Sequence, residues 1–259
     1  MAEITAKQYI DDVLNDRITV CKWVKLAVDR HVKDLEKQNT EEFPYYFDEA
    51  AAERKIRFSQ EMRYTKGEWA RQRLKITLQP WQQFVDWCVY GWKHVSGVRR
   101  FTKAYIEVAR KNGKTEWKAT DANFMLAMDG EEGGEVYFCA TKKDQAKIAW
   151  NAARIQCERN QFLKKNTELF KMSSRITFKQ TNSIMLPVGQ DSDTEDGLNP
   201  SFALIDEYHA HKTASLLNVM QDGMGARSQP LLWIITTAGF DKQNPCYQEE
   251  RTLIEGILT

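Results

Sequence analysis

VARKNGKTE, residues 108–116, ends in the Gly-Lys-Thr of a phosphate-binding loop, yet Val108 stands where the pattern G-x-x-x-x-G-K-[ST] has its first glycine. The tripeptide is common enough by chance that its setting must give it meaning. A phosphate loop joins a strand to a helix. Upstream, Tyr105, Ile106, Glu107 and Val108 are strand-like, and a strand is expected over 103–108. Downstream, Ala119, Ala122, Leu126 and Ala127 share one side of a helix expected over 114–128. In that setting Gly113 permits close approach of the backbone to phosphate, and N–H groups at the helix start favour the anion. Lys114 would reach the β- and γ-phosphates of a nucleotide, and the Thr115 hydroxyl would hold Mg²⁺. Arg110 adds a second cation. The stretch expected to touch nucleotide is thus Arg110, Lys111, Asn112, Gly113, Lys114, Thr115 and Glu116, with Lys114 and Arg110 also candidate catalytic groups.

Three further stretches share this order along the chain. FALIDEYHAH (202–211) reads as an apolar strand ending in Asp206-Glu207, two carboxylates at the carboxyl edge of a sheet, where α/β ligands bind. Asp206 suits a Mg²⁺ shell and Glu207 suits polarising an attacking water. Two acids after a strand are otherwise a favourably charged helix start. LLWIITTAGF (231–240) is a second apolar strand ending in Thr236-Thr237, hydroxyls placed to sit beside a γ-phosphate, although β propensity alone explains threonine there. LQPWQQF (78–84) precedes the phosphate loop. Gln82 offers an amide to an adenine edge and Trp81 a face to the base, against the plainer reading of a helix start with Pro80 in its first turn. Four elements in this order point to a nucleotide hydrolase.

The rest of the chain suits that reading. Its 259 residues are 28% charged and 42% hydrophobic, enough for a sizeable core. No apolar run approaches the ~18 residues of a membrane span, and MAEITAKQYIDD lacks the apolar core of a secretion signal. Cys21, Cys88, Cys139, Cys157 and Cys246 have neither metal-ligand nor disulfide spacing, which fits a reducing cytoplasm. Net charge is only +1, but residues 142–179 carry ten basic side chains against three acidic, and 63–118 carry thirteen against four. Clustered basic charge is the footprint of phosphate partners, or else a set of solvated helix faces.

Residues 1–75 read as a helical region, and 76–259 as strands alternating with helices, which implies a mostly parallel sheet in an α/β domain. In the first region Thr5-Ala-Lys-Gln8 resembles a capping box. His31 falls on an apolar helix face as a packed core histidine. A helix is expected over 48–62, and a linker near Tyr64–Gly67. In the second, further strands are expected over 135–140, 202–205 and 231–236 and helices over 80–90, 144–159 and 213–224. A hairpin of 175–179 and 184–187 would decorate the sheet.

Taken together these residues resemble the ATPase region of the large terminase subunit of tailed bacteriophages, the motor that packages DNA into capsids. ARKNGKT (109–115) is similar to the terminase form of the phosphate loop, which tolerates loss of the first glycine and carries an early arginine. LQPWQ (78–82), Gln145-Ala146, DGLNPSFALIDEYH (196–209) and RSQPLLWIITTAG (227–239) are also family-like. The resemblance implies a RecA-like P-loop NTPase fold of the ASCE class and an ATPase dependent on ATP and Mg²⁺. It gives Lys114, Thr115, Asp206 and Glu207 the roles above, Arg110 that of the loop arginine, Gln82 an adenine contact, and Thr236-Thr237-Ala238 the coupling of hydrolysis to movement. It further implies double-stranded DNA, a portal protein on a procapsid and a small terminase subunit as partners in the host cell cytoplasm. The chain would be a monomer when free and a homo-oligomeric ring when assembled, with an arginine such as Arg154, Arg159, Arg175 or Arg227 supplied in trans. Large terminases carry a nuclease domain, for which the twenty residues after Gly239 leave no room, so no cutting activity is expected. Asp206-Glu207-Tyr208-His209 also matches a DExH helicase box, which would need a second motor domain. A nucleotide- or DNA-binding module without hydrolysis, and a kinase or small-molecule ATPase, are the other readings.

Overall fold

A computed structural model of the chain describes residues 3–190 and 197–259. The helices and strands that come first are α1 (Ala6–Leu14), α2 (Lys22–Lys37), β1 (Tyr45–Phe47), α3 (Glu49–Glu61), α4 (Gly67–Arg71), α5 (Pro80–Gly91) and β2 (Trp92–His94). Then follow β3 (Lys103–Glu107), α6 (Lys114–Ala127), β4 (Glu135–Ala140), α7 (Lys143–Arg159), α8 (Gln161–Asn166), β5 (Thr167–Phe170) and β6 (Arg175–Phe178). The chain closes with β7 (Ser183–Gly189), β8 (Phe202–Asp206), α9 (Ser215–Gly223), β9 (Leu231–Thr236) and α10 (Thr252–Leu258). Two compact units result: Met1–Gln60, Thr77–Phe101 and Arg251–Thr259 form one, and Glu61–Ile76 with Thr102–Glu250 the other. The boundary expected near residue 75 is therefore crossed more than once. The 64–67 stretch leads into α4 and counts with the α/β unit rather than acting as a bare linker.

In the helical unit, Tyr9, Val13, Val28 and Phe84 form a buried cluster against which Val20, Val24 and Trp81 pack. His31 is a core histidine, as its helical spacing suggests. It is ringed edge-on by Phe47 and Trp92, and accepts a hydrogen bond from Trp92 Nε1 at 3.0 Å. Burial lowers its pKa to about 4, so it stays neutral. The capping box expected at Thr5 does not form. Thr5 makes no side-chain cap, its N–H donates to Gln83 Oε1 at 2.8 Å, and Gln8 reaches forward to Asp12. A tertiary partner has taken the donor that the local box would have used.

The α/β unit holds a seven-stranded sheet in the order β3-β9-β8-β4-β7-β6-β5. The first five strands run parallel, and β6 and β5 are antiparallel additions. β8 and β9 are apolar and buried up to their last residues, Asp206 and Thr236, as suits strands covered on both faces. Tyr137, Cys139, Ala203, Ile205, Leu232 and Ile234 pack with Leu216, Leu217 and Met220 of α9. On α6, Trp117 meets Trp233 of β9 edge-on at 5.9 Å. The mostly parallel α/β sheet flanked by helices is the fold class expected from the sequence.

One expectation needs correcting. The hairpin around Thr181-Asn182 is no decoration, because β7 pairs in parallel with β4 from Glu135↔Ile184 to Ala140↔Gly189. A strand ending in Pro187 reads as peripheral, since proline cannot donate to a ladder. Pairing with β6 covers only Ser183 to Met185, so Pro187 sits where β7 has a neighbour on one side alone.

The helical unit also buries an ion pair. Lys55 Nζ lies 2.8 Å from Asp86 Oδ2 and 2.7 Å from Ser59 Oγ, with both charged side chains fully buried. Removing the carboxylate takes its counter-charge from a buried ammonium. Asp86→Ala is expected to cost about 3–5 kcal/mol in chemical denaturation, whereas Lys7→Ala, which breaks the exposed pair with Glu49, should cost under about 1 kcal/mol.

Candidate functional site

The phosphate loop leaves the carboxyl end of β3 and the acidic pair leaves that of β8, with β9 between them. Glu107 pairs with Thr236 and Asp206 with Ile235, so the two loops and the end of β9 open at one edge of the sheet. Val108 N–H donates to the Thr236 carbonyl at 3.0 Å, carrying the ladder one residue into the loop. The chain then passes through two left-handed residues, Lys111 (φ 66°) and Gly113 (φ 72°). Asn112 holds the turn, its Nδ2 donating to the carbonyls of Ala109 at 3.0 Å and Arg110 at 3.3 Å. Left-handed residues so spaced are the backbone of anion-binding nests. α6 begins at Lys114, with Trp117 N–H donating to the Gly113 carbonyl. Arg110, Lys111, Asn112 and Gly113 are exposed, and Lys114, Thr115 and Glu116 half-buried.

Lys114 Nζ donates to Glu207 Oε1 at 2.9 Å, so the loop lysine and the candidate base meet directly. Glu207 occupies the left-handed region, at φ 49° and ψ 48°. A non-glycine residue there is held by its surroundings at a cost of about 1–2 kcal/mol. Its N–H donates to Asp206 Oδ1 at 2.9 Å, and its Oε2 accepts from Thr237 Oγ1 at 3.0 Å. Burial pushes the Glu207 carboxyl up, but the hydrogen bond and charge of Lys114, with Thr237, outweigh it and hold the pKa below its ordinary value. Asp206 goes the other way. Burial and the neighbouring Glu207 charge raise its pKa to about 6. His211, itself buried and shifted down, sets its Nε2 3.3 Å from the Asp206 carbonyl.

These observations bear on a divalent cation. A buried carboxyl beside a second acid is short of positive charge, the condition a cation relieves, so Asp206 fits the role expected of it. Among the described residues no cluster of three or more His, Cys, Asp or Glu could hold a metal alone. Magnesium shared with substrate phosphates needs only one or two protein ligands, which Asp206 and the Thr115 hydroxyl would supply.

The other expected residues are placed as follows. Thr236 and Thr237 are buried, and their hydroxyls face the acidic loop. Glu116 turns its carboxylate to Thr65, accepting from N–H at 2.9 Å and from Oγ1 at 2.6 Å, while Gln156 donates to its carbonyl. Its side chain therefore ties α6 to the 61–76 segment and, through Gln156 Nε2 at 3.4 Å, to α7, and is not directed to the phosphate loop's ligand side. Gln82 and Trp81 belong to the helical unit. Gln82 is buried and its Oε1 accepts from Gln79 N–H at 2.9 Å, a helix cap, and Trp81 packs beside Phe84. Of the four arginines, Arg227 is engaged by the carbonyls of Asn199, Glu132 and Gly133. Those residues precede β8 and β4, at the opposite end of the sheet from the phosphate loop. Arg154 pairs with Glu158 and Asn151, Arg159 with the Tyr64 carbonyl, and Arg175 is exposed. Asp196, the first residue of the DGLNPSFALIDEYH stretch, lies outside the described residues. Sequence reading missed His209, whose imidazole reaches both Thr236 and Glu207. The signal was available only as two motifs ending neighbouring strands.

Residues 80–255 match the family described as terminase large subunit, ATPase domain. Protein YmfN of Escherichia coli (strain K12) is 53% identical over 60 residues, 23% of this chain and 13% of that protein. The structure of the bacteriophage HK97 large terminase superposes with a TM-score of 0.69 at 20% identity, over 80% of this chain and 42% of that one, a likeness of fold. The large terminase of a thermophilic bacteriophage, solved in complex with ADP, is looser: TM-score 0.44 at 15% identity, over 60% and 38% of the two chains. The chain thus spans less than half the length of these relatives.

A carboxyl whose pKa is raised by folding favours the folded state most below its ordinary value near 4, and that contribution is lost above about 6. Asp206→Asn removes the charge. It should stabilise the nucleotide-free protein by about 1–3 kcal/mol at pH 8, and the gain should shrink towards nothing near pH 4. Thermal melts across that range check this.

Proposed function

The chain belongs to the family of terminase large subunit ATPase domains, and from that premise we propose that it hydrolyses ATP to drive double-stranded DNA into a procapsid. The observation that carries the reading is the Lys114–Glu207 pair, which joins the phosphate loop to the acidic strand end at 2.9 Å. Within this pair each charge neutralises the other. The γ-phosphate of ATP competes for Lys114 and draws the ammonium to its oxygens, which releases Glu207 Oε1. Glu207, ionised because its pKa lies below the ordinary value, then accepts a hydrogen bond and the proton of the attacking water. Water oxygen bonds to the γ-phosphorus, the bond to the bridging oxygen breaks, and ADP and phosphate leave. Bound Mg²⁺ would neutralise phosphate charge, held by Asp206 and Thr115. The nest at Lys111–Gly113 and the helix start hold the phosphates, and exposed Arg110 supplies further positive charge.

Family membership and charge support the partners. Duplex DNA is the polyanion that the basic segment 142–179, carried by α7, α8, β5 and β6, would meet. A portal protein, a procapsid and a small terminase subunit complete the machine in the host cytoplasm. The ring is homo-oligomeric, and a neighbouring subunit supplies an arginine worth ~10³–10⁵ in rate. Arg227 is a poor choice for that role because backbone carbonyls already take its guanidinium. Arg175 suits it better, being exposed on β6 with its guanidinium over the Phe170 ring.

Two substitutions separate binding from chemistry. Lys114→Ala should weaken ATP binding at least tenfold with little change in melting temperature. Glu207→Gln should keep ATP binding, or tighten it by freeing Lys114, and lower turnover by about 10²–10⁴. Nucleotide titration beside phosphate release, with and without double-stranded DNA, decides. Unchanged affinity in the first variant or near-normal turnover in the second would sink the assignment.

Assembly provides a further check. Glu207→Gln subunits mixed with Arg175→Ala subunits on portal-bearing procapsids should regain part of the activity that each lacks alone. Full activity in a strictly monomeric sample would show that no arginine in trans is needed.

A further inference from the structure

His209 follows the acidic pair by two residues, and its imidazole is only 17% exposed. Nδ1 lies 2.9 Å from Thr236 Oγ1 and 3.2 Å from Glu207 Oε2. The Thr236 hydroxyl donates to the Thr237 carbonyl at 3.1 Å and accepts from His209 N–H at 3.0 Å. With that proton on the Thr237 carbonyl, we assign the hydrogen between Thr236 and His209 to Nδ1. A bare Nδ1 would also oppose lone pairs on a carboxylate oxygen. An Nδ1–H is directed to Thr236 Oγ1 and presents its positive end near Glu207 Oε2, 3.2 Å away.

From this geometry we infer that His209 is a positioning residue for the hydrolytic base, holding Glu207 through Oε2 and tying it to the end of β9. The inference rests on the reading of Glu207 as base. The two oxygens of Glu207 are not equivalent. Oε1 is held by Lys114, which ATP draws away, whereas Oε2 accepts from Thr237 Oγ1 and lies 3.2 Å from His209 Nδ1. Once Lys114 departs, the remaining pair fixes the carboxylate plane and leaves Oε1 to meet water.

The backbone around the ring shows the same tie. Asn244 Nδ2 donates to the His209 carbonyl at 2.6 Å. A Cβ added to Gly239 would stand 3.0 Å from His209 Cβ and 3.2 Å from its Cδ2. The segment after β9 is therefore packed on this histidine, and its displacement would reach Glu207 through the imidazole.

The test measures ATP turnover with double-stranded DNA and ATP affinity for His209→Ala, His209→Asn, His209→Gln and Gly239→Ala, beside Glu207→Gln. Misplacing a catalytic group by an ångström costs about 10²-fold. His209→Ala should lower kcat about 10- to 100-fold with KM unchanged within about twofold. Asn places an N–H where Nδ1–H stood and should recover most of the rate, while Gln, reaching to the Nε2 position, should not. Gly239→Ala should lower kcat with KM retained. If the Ala variant does not fold, the contrast of Asn with Gln and the Gly239 variant decide. Normal kcat in His209→Ala, Asn no better than Gln, or a loss confined to KM would overturn the inference while leaving Glu207 as base. Near-normal turnover in Glu207→Gln would overturn both.

Discussion

A lysine and a glutamate 93 residues apart meet at 2.9 Å, and the rest of the candidate site is arranged around that contact. Lys114 is fixed by the start of α6 and Glu207 by the end of β8. They can meet only because β3 and β8 run parallel, with β9 alone between them, and so end at the same edge. Part of the cost of this convergence falls on the backbone. Lys111 and Glu207 both adopt left-handed conformations that non-glycine residues avoid. One turns the phosphate loop and the other brings the carboxylate to the lysine.

The two acids of the DE pair are one residue apart and electrostatically opposite. Asp206, more deeply buried and beside Glu207, is pushed towards its neutral form, and Glu207, paired with Lys114, is held ionised. Two similar groups with displaced pKa values divide the labour, one suited to a cation and one to a proton. Thr237 belongs to this balance because its hydroxyl donates to the ionised carboxylate. A threonine at a strand end, ordinary by composition, thereby becomes part of the electrostatics.

Charge is handled differently where no chemistry is at stake. Lys55 and Asp86 are both fully buried, as are Lys118 and Asp121 on α6, with the Lys118 ammonium between the rings of Trp117 and Trp233. Those pairs are sealed from solvent. Lys114 keeps 9% of its side chain accessible and Glu207 keeps 41%, so this pair can open towards a ligand. Exposure at the sheet edge separates this pair from those that are closed to any ligand.

The strand–loop–helix around residues 103–127, the two apolar strands, the acidic pair at the end of one of them and the core histidine were legible in the sequence. Each depends on spacing within some ten residues, where helical and strand periodicity and turn chemistry act. The place of β7 was not legible, because Pro187 is unfavourable locally and is tolerated only where one neighbour pairs with it. Nor was the use of Glu116 by Thr65, the capping role of Gln82, or the engagement of Arg227 by carbonyls. Each of these depends on a partner that is distant in the chain or on competition between a local hydrogen bond and a ligand. The meeting of His209 with Thr236 and Glu207 is of the same kind. The sequence by itself determined the local elements and marked which residues are candidates for chemistry. Strand order, a matter of non-local pairing, decided which of them face one another.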